Sequence, residues 1–218
     1  MTGCPIFQTF SAAKAISTEL DQLVGDIVAR LRRADTDLFK QAERYEWDDC
    51  LPEEELTWLW TGGALTIQAS MKKGAGTPKV RNLSLRFDLT RLQEEQSSWR
   101  HASEALIVVG YSPLKDRPWE NELLAVTANG RLRDDGAWEA CKTNRHAGGR
   151  LLQYAEAGLV DGATWAQRPW IFAIPLRTLE SPDSVDKHII QPIISLLVKN
   201  DAPDKSLAAT DAITWSNS

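Results

Sequence analysis

The chain has 218 residues, a formal net charge of −5 and a pI near 5.3, with 43% apolar and 25% charged residues. That balance fits one ordinary globular domain and argues against a dedicated nucleic-acid binder, which carries a basic surface. No apolar run approaches the roughly 20 residues that cross a bilayer, and residues 1–10 lack a basic segment followed by an apolar one, so a cytoplasmic protein that does not enter membranes is expected.

The first third reads helical. Ile16, Leu20, Leu23, Val24, Ile27 and Leu31 recur at three- and four-residue spacing and make one apolar stripe, with Ser11 placed to cap the start. Arg32 to Asp35 reads as a turn, after which Leu38, Phe39, Ala42 and Tyr45 suggest a second helix. Pro52 then suits the first position of a third, where Glu53, Glu54 and Glu55 meet the positive end of the helix dipole and Gly62-Gly63 ends the run.

The middle reads as sheet. Leu65, Ile67, Ala69 and Met71 alternate with polar residues, as do Leu83, Leu85, Phe87 and Leu89, so 64–71 and 80–90 form a hairpin with one covered face. Ala105 to Tyr111 is a continuous apolar run, which suits a central strand covered on both faces. Residues 122–128 follow, with a two-residue turn at Asn129-Gly130 leading into 131–133. A helix is expected over 147–157, a strand over 170–176 with Pro175 placing its end at a sheet edge, and a last helix over 184–200 that kinks or restarts at Pro192.

This order predicts an α+β fold: an N-terminal helical unit (1–62) packed on a five- to six-stranded, mostly antiparallel sheet with C-terminal helices (63–200). Together they form a single domain over 1–200, and 201–218 is expected to be a mobile tail.

Chemistry is marked more by what is missing. The sequence has no GxxxxGK[ST], HExxH, GxSxG or strand-linked GxGxxG, and no [DE]xK triplet. His101, His146 and His188 are isolated from one another. Cys4, Cys50 and Cys141 form no CxxC pair, so reduced thiols and no metal site are expected. The acidic stretch Glu46, Asp48, Asp49, Glu53, Glu54 and Glu55 lacks an EF-hand spacing. It reads as a helix start and an acidic surface suited to a basic partner.

Lys142, Arg145, His146, Gly148, Gly149 and Arg150 make the best candidate anion site. A glycine pair entering a helix offers free N–H groups and the dipole's positive end, with basic side chains beside them. Arg145 and Gly148 also resemble the pyrophosphate loop of the GNAT acyltransferase family, with Arg150 standing where that family has a small residue. That resemblance implies acetyl-coenzyme A at residues 145–150, and the dipole argument alone admits a nucleotide. A second basic group, Lys72, Lys73, Lys79, Arg81 and Arg86, surrounds the 72–78 hairpin loop and would track a phosphate backbone.

Nine tryptophans spread along the chain suit a core or an interface, and no catalytic signature stands beside them. The leading expectation is therefore a non-catalytic cytoplasmic interaction protein, a subunit or adaptor of a larger assembly with a protein partner and no cofactor. The alternative is an enzyme or sensor that takes a phosphorylated small molecule at Gly148-Gly149, in the acyltransferase manner. A nucleic-acid role for the hairpin loop ranks third.

Overall fold

Strand alternation builds the first half of the sheet. The computed structural model describes residues 5–34, 39, 47–48, 62–71, 79–88, 105–113, 143–154 and 162–214. β2 (Gly62–Met71) and β3 (Lys79–Asp88) pair antiparallel along their full length, from Gly62 opposite Asp88 to Met71 opposite Lys79. This is the hairpin that the period-2 pattern predicts, and Leu83 and Leu85 on one of its faces are fully buried. The two-residue β1 (Trp47–Asp48) lies outside β2.

β4 (Leu106–Ser112) follows β3, and all seven of its residues are buried, as a continuous apolar run requires of a strand covered on both faces. Next in space comes β7 (Trp170–Pro175), then β6 (Leu151–Tyr154) and β5 (Thr143–His146). The result is a seven-stranded sheet in the order β1-β2-β3-β4-β7-β6-β5, antiparallel at every pairing, where five or six strands were expected. The fold is α+β.

β7 is therefore a central strand and not an edge, and Pro175 is tolerated for a local reason. Ile213 donates its N–H to Ala173 O on one side of β7, while Leu176 donates to Ala105 O on the other. By this parity the missing N–H of Pro175 faces the β6 side. There β6 has already ended, since it reaches only Ile171 and Trp170.

α1 (Pro5–Ala34) is one helix of 30 residues, so Ser11 lies inside it and is not its cap. Leu20, Val24, Ile27, Val28 and Leu31 join the strand residues in one hydrophobic core. Arg30 ties the helix to its own turn and to the far end of the chain. It donates to Asp26 Oδ2 at 2.7 Å and to Asp186 Oδ2 at 2.6 Å. The helices expected near Asp35 and Pro52 fall outside the described residues, apart from the buried Phe39. The hairpin expected around Asn129-Gly130 also falls outside them.

The C-terminal helical run begins with α2 (Pro182–Val185), capped by a reciprocal Ser181–Ser184 pair. It widens into a π-helical segment (Asp186–Ile190) and continues as α3 (Gln191–Leu197). Gln191 N–H reaches five residues back to Asp186 O. The next residue, Pro192, has no N–H for an i−4 bond, and its ring would crowd the carbonyl four residues earlier. The π turn placed immediately before it absorbs that conflict, so the run neither breaks nor restarts.

The segment 201–214, expected as part of a mobile tail, is packed into the core. α4 (Pro203–Ser206) is followed by buried Leu207, Thr210, Ala212 and Ile213. Among the described residues no helix is long and apolar enough to cross a membrane.

Candidate functional site

The structure corrects the reading of residues 147–157. Arg145-His146-Ala147-Gly148-Gly149-Arg150 is the turn of a β-hairpin, not the start of a helix. Ala147, Gly148 and Gly149 all have positive φ (53°, 64° and 89°), a left-handed path that lets β5 reverse directly into β6. Among the described residues no α-helix starts at this turn, so the geometry expected for a pyrophosphate loop is not formed there.

The basic residues of this region are dispersed. Lys142 lies outside the described residues. Arg145, opposite Leu152, and His146, opposite Leu151, have opposite strand parity. Arg150 donates from Nε to Ala147 O (3.0 Å) and from Nη1 to Leu207 O (2.7 Å), which binds the hairpin turn to the C-terminal segment.

What the hairpin does assemble is an aromatic and cationic corner. His146 Nε2 and Gln153 Oε1 form a hydrogen bond at 2.8 Å. Gln153 is buried, and its Oε1 also lies 3.5 Å from Arg168 Nη1. Arg168 Nε donates to Ala163 O, and the guanidinium stands 5.2 Å from the centroid of the Trp165 ring. His146 meets the same ring edge-on at 5.0 Å. Beneath them Trp170 stacks between Tyr111 (5.4 Å) and Phe172 (5.9 Å). The turn Trp165–Gln167 satisfies both buried polar tips, since Tyr111 Oη donates to Ala166 O and Trp170 Nε1 to Trp165 O. Sequence gave no sign of this corner, because Trp165 and Arg168 sit in a loop far in sequence from His146.

A cleft of about 550 Å³ opens between the C-terminal helical run and α4. Asp186, Lys187, Gln191, Ser195, Lys199 and Asp201 are among its walls. Its acidic groups are partly matched within the fold. Asp201 accepts from Lys205 Nζ and Ser195 Oγ, both at 2.7 Å, and these donors hold its carboxyl below the usual range. Among the described residues no group of three or more His, Cys, Asp or Glu could hold a metal ion.

His188 stands apart from both places. It lies on the π turn, is 3% exposed, and accepts a hydrogen bond at Nδ1 from the Asp211 backbone N–H at 3.0 Å. Asp211 Oδ2 is 3.6 Å from Nε2. Burial first, and then the neighbouring Lys187, push its pKa below 6.5 against the pull of Asp211. As an isolated histidine it carried no signal in sequence.

Of the second basic group, Lys72 and Lys73 lie outside the described residues. Lys79 and Arg81 share the strand parity of Leu83 and Leu85, whereas Arg86 has the opposite one. Comparison with protein-family models, curated proteins and solved structures finds no match for the chain. The likeness to the acyltransferase loop therefore rests on Arg145 and Gly148 alone.

Proposed function

We propose that the protein is a non-catalytic cytoplasmic subunit or adaptor, and that it offers the N-terminal half of α1 to a protein partner. One comparison carries the reading. Ile16 and Ile27 lie eleven residues apart, which places them within about 20° of one another around a helix of 3.6 residues per turn. Ile27 is fully buried, whereas Ile16 is 49% exposed, and Ala15, Thr18 and Glu19 beside it are exposed too. The flank of the stripe that is fully buried at Ile27 is half exposed at Ile16. A 30-residue helix spans about 45 Å, and its described buried residues all fall between Leu20 and Leu31. The fate of Arg150 supports the same reading, because the strongest candidate ligand group is engaged with backbone carbonyls of its own chain.

The test is native mass and affinity capture from the protein's own cell extract, run for wild type and Ile16→Lys. Wild type should come out in a stoichiometric complex that Ile16→Lys loses while keeping the same melting temperature. A lone wild-type monomer, or a complex indifferent to the substitution, would sink the proposal.

A second reading, small-anion binding, draws on the convergence of His146 and Arg168 at Gln153. Acetyl-coenzyme A or a nucleotide would then raise the melting temperature of wild type and leave Arg168→Leu unmoved.

A further inference from the structure

The C-terminal segment is held at three points that differ in kind. Arg150 donates to Leu207 O, Ile213 donates to Ala173 O on the open side of β7, and Asp211 N–H donates to His188 Nδ1. The first two bonds involve no imidazole. The third requires the imidazole to be neutral, because a protonated ring carries hydrogen on both nitrogens and cannot accept.

We propose that His188 is a proton-operated latch that releases residues 207–214 from the helical run and from the open side of β7 when the ring is protonated. The geometry carries this directly. With Nδ1 protonated, two N–H groups would face each other across 3.0 Å in a buried setting, and the Asp211 amide would lose its partner. Among the described residues, the charged groups acting on the ring are Lys187, next to it on the π turn, and Asp211, across from it.

Asp211 Oδ2 favours the imidazolium but lies 3.6 Å from Nε2, on a side chain that is 59% exposed. It therefore offsets the burial of the charge only in part and leaves the donor–donor clash at Nδ1 in place. Burial of the ring and its accepting bond to the Asp211 amide oppose protonation only while the latch is shut, so proton binding and opening are coupled. The segment set free leaves Ala173 O without its donor, beyond the point where β6 stops. The inference does not depend on the role proposed for α1.

Amide hydrogen exchange by NMR tests it, expressed as protection factors so that intrinsic pH effects cancel. Between pH 7.5 and 5.5 the Asp211 and Ile213 amides should lose protection several-fold, up to about tenfold, as expected for a proton that binds the open form at a pKa near 6.5 and the shut form below it. The amides of β4 open only with the whole fold, so they should stay better protected than those of Asp211 and Ile213 at both pH values. His188→Asn keeps an acceptor oxygen near the Nδ1 position and cannot titrate, so its protection should be the same at both pH values.

Unchanged wild-type protection, an equal loss in His188→Asn, or protection at Asp211 and Ile213 as high as in β4 would each overturn the latch. Should His188→Asn fail to fold, wild type decides. Protection must begin to fall near pH 6.5 and level off at the imidazole midpoint followed by NMR, and a loss that continues unchanged past that midpoint refutes the coupling.

Discussion

Arg150 makes two bonds that no other basic side chain could make from its position. One planar guanidinium reaches Ala147 O at the hairpin turn and Leu207 O in the C-terminal segment. Lysine offers a single point charge and cannot span both acceptors. Arg150→Lys should cost about 2 kcal/mol, the range for hydrogen bonds to a charged donor. In a chain of this size that amounts to about 4–8 °C of melting temperature. A shift below one degree would show that the link does not stabilise the fold. Gly148 poses a separate question two residues away. Its φ is +64° and a Cβ there would meet nothing within 4 Å, so Gly148→Ala is charged only for backbone conformation. That cost is about 1 kcal/mol, and calorimetry should find it with no loss of native circular dichroism.

At the scale of elements, α1 makes the sharpest contrast. Ile27→Ala removes a side chain with no exposure and should cost about 2–5 kcal/mol. Ile16→Ala, on nearly the same flank three turns earlier, should stay within about 0.5 kcal/mol. Equal losses in urea melts would place the N-terminal half of α1 against the body and remove the basis for its proposed role. Elements with a uniform environment were legible from sequence. The alternation in 64–71 and 80–90 reports one covered face, and the unbroken run 105–111 reports two. The 147–157 segment was misread because Leu151 and Leu152 are both buried and β6 is only four residues long, so no period-2 signal develops. Its strand state is fixed by pairing with β7, a contact distant in sequence. The packed tail was hidden for a similar reason, since Pro203, Leu207, Ala212 and Ile213 fit neither period. The aromatic corner has no local pattern at all. It exists only once β5, β6 and the turn before β7 are brought together.

For the whole molecule, two groups among the described residues shape the response to acid, and their windows open at different pH values. His188 is a base whose folded pKa is lowered, chiefly by burial. Above pH 6.5 it is neutral in both states and imposes no penalty. As the pH falls below 6.5 the unfolded chain takes up the proton first, so stability declines until the folded pKa is passed. Asp201 behaves in the opposite sense. Lys205 and Ser195 hold its folded pKa below 3.8, so its contribution is complete above 3.8 and disappears as the pH falls through the folded value. Melting temperature should therefore descend in two stages, one beginning near pH 6.5 and the other below pH 3.8. His188→Asn should remove the first stage and keep the second, and Asp201→Asn should do the reverse while lowering stability at neutral pH. A wild-type melting temperature that stays level from pH 7.5 to 5 would contradict the burial of a neutral His188, and with it the coupling of that ring to the C-terminal segment.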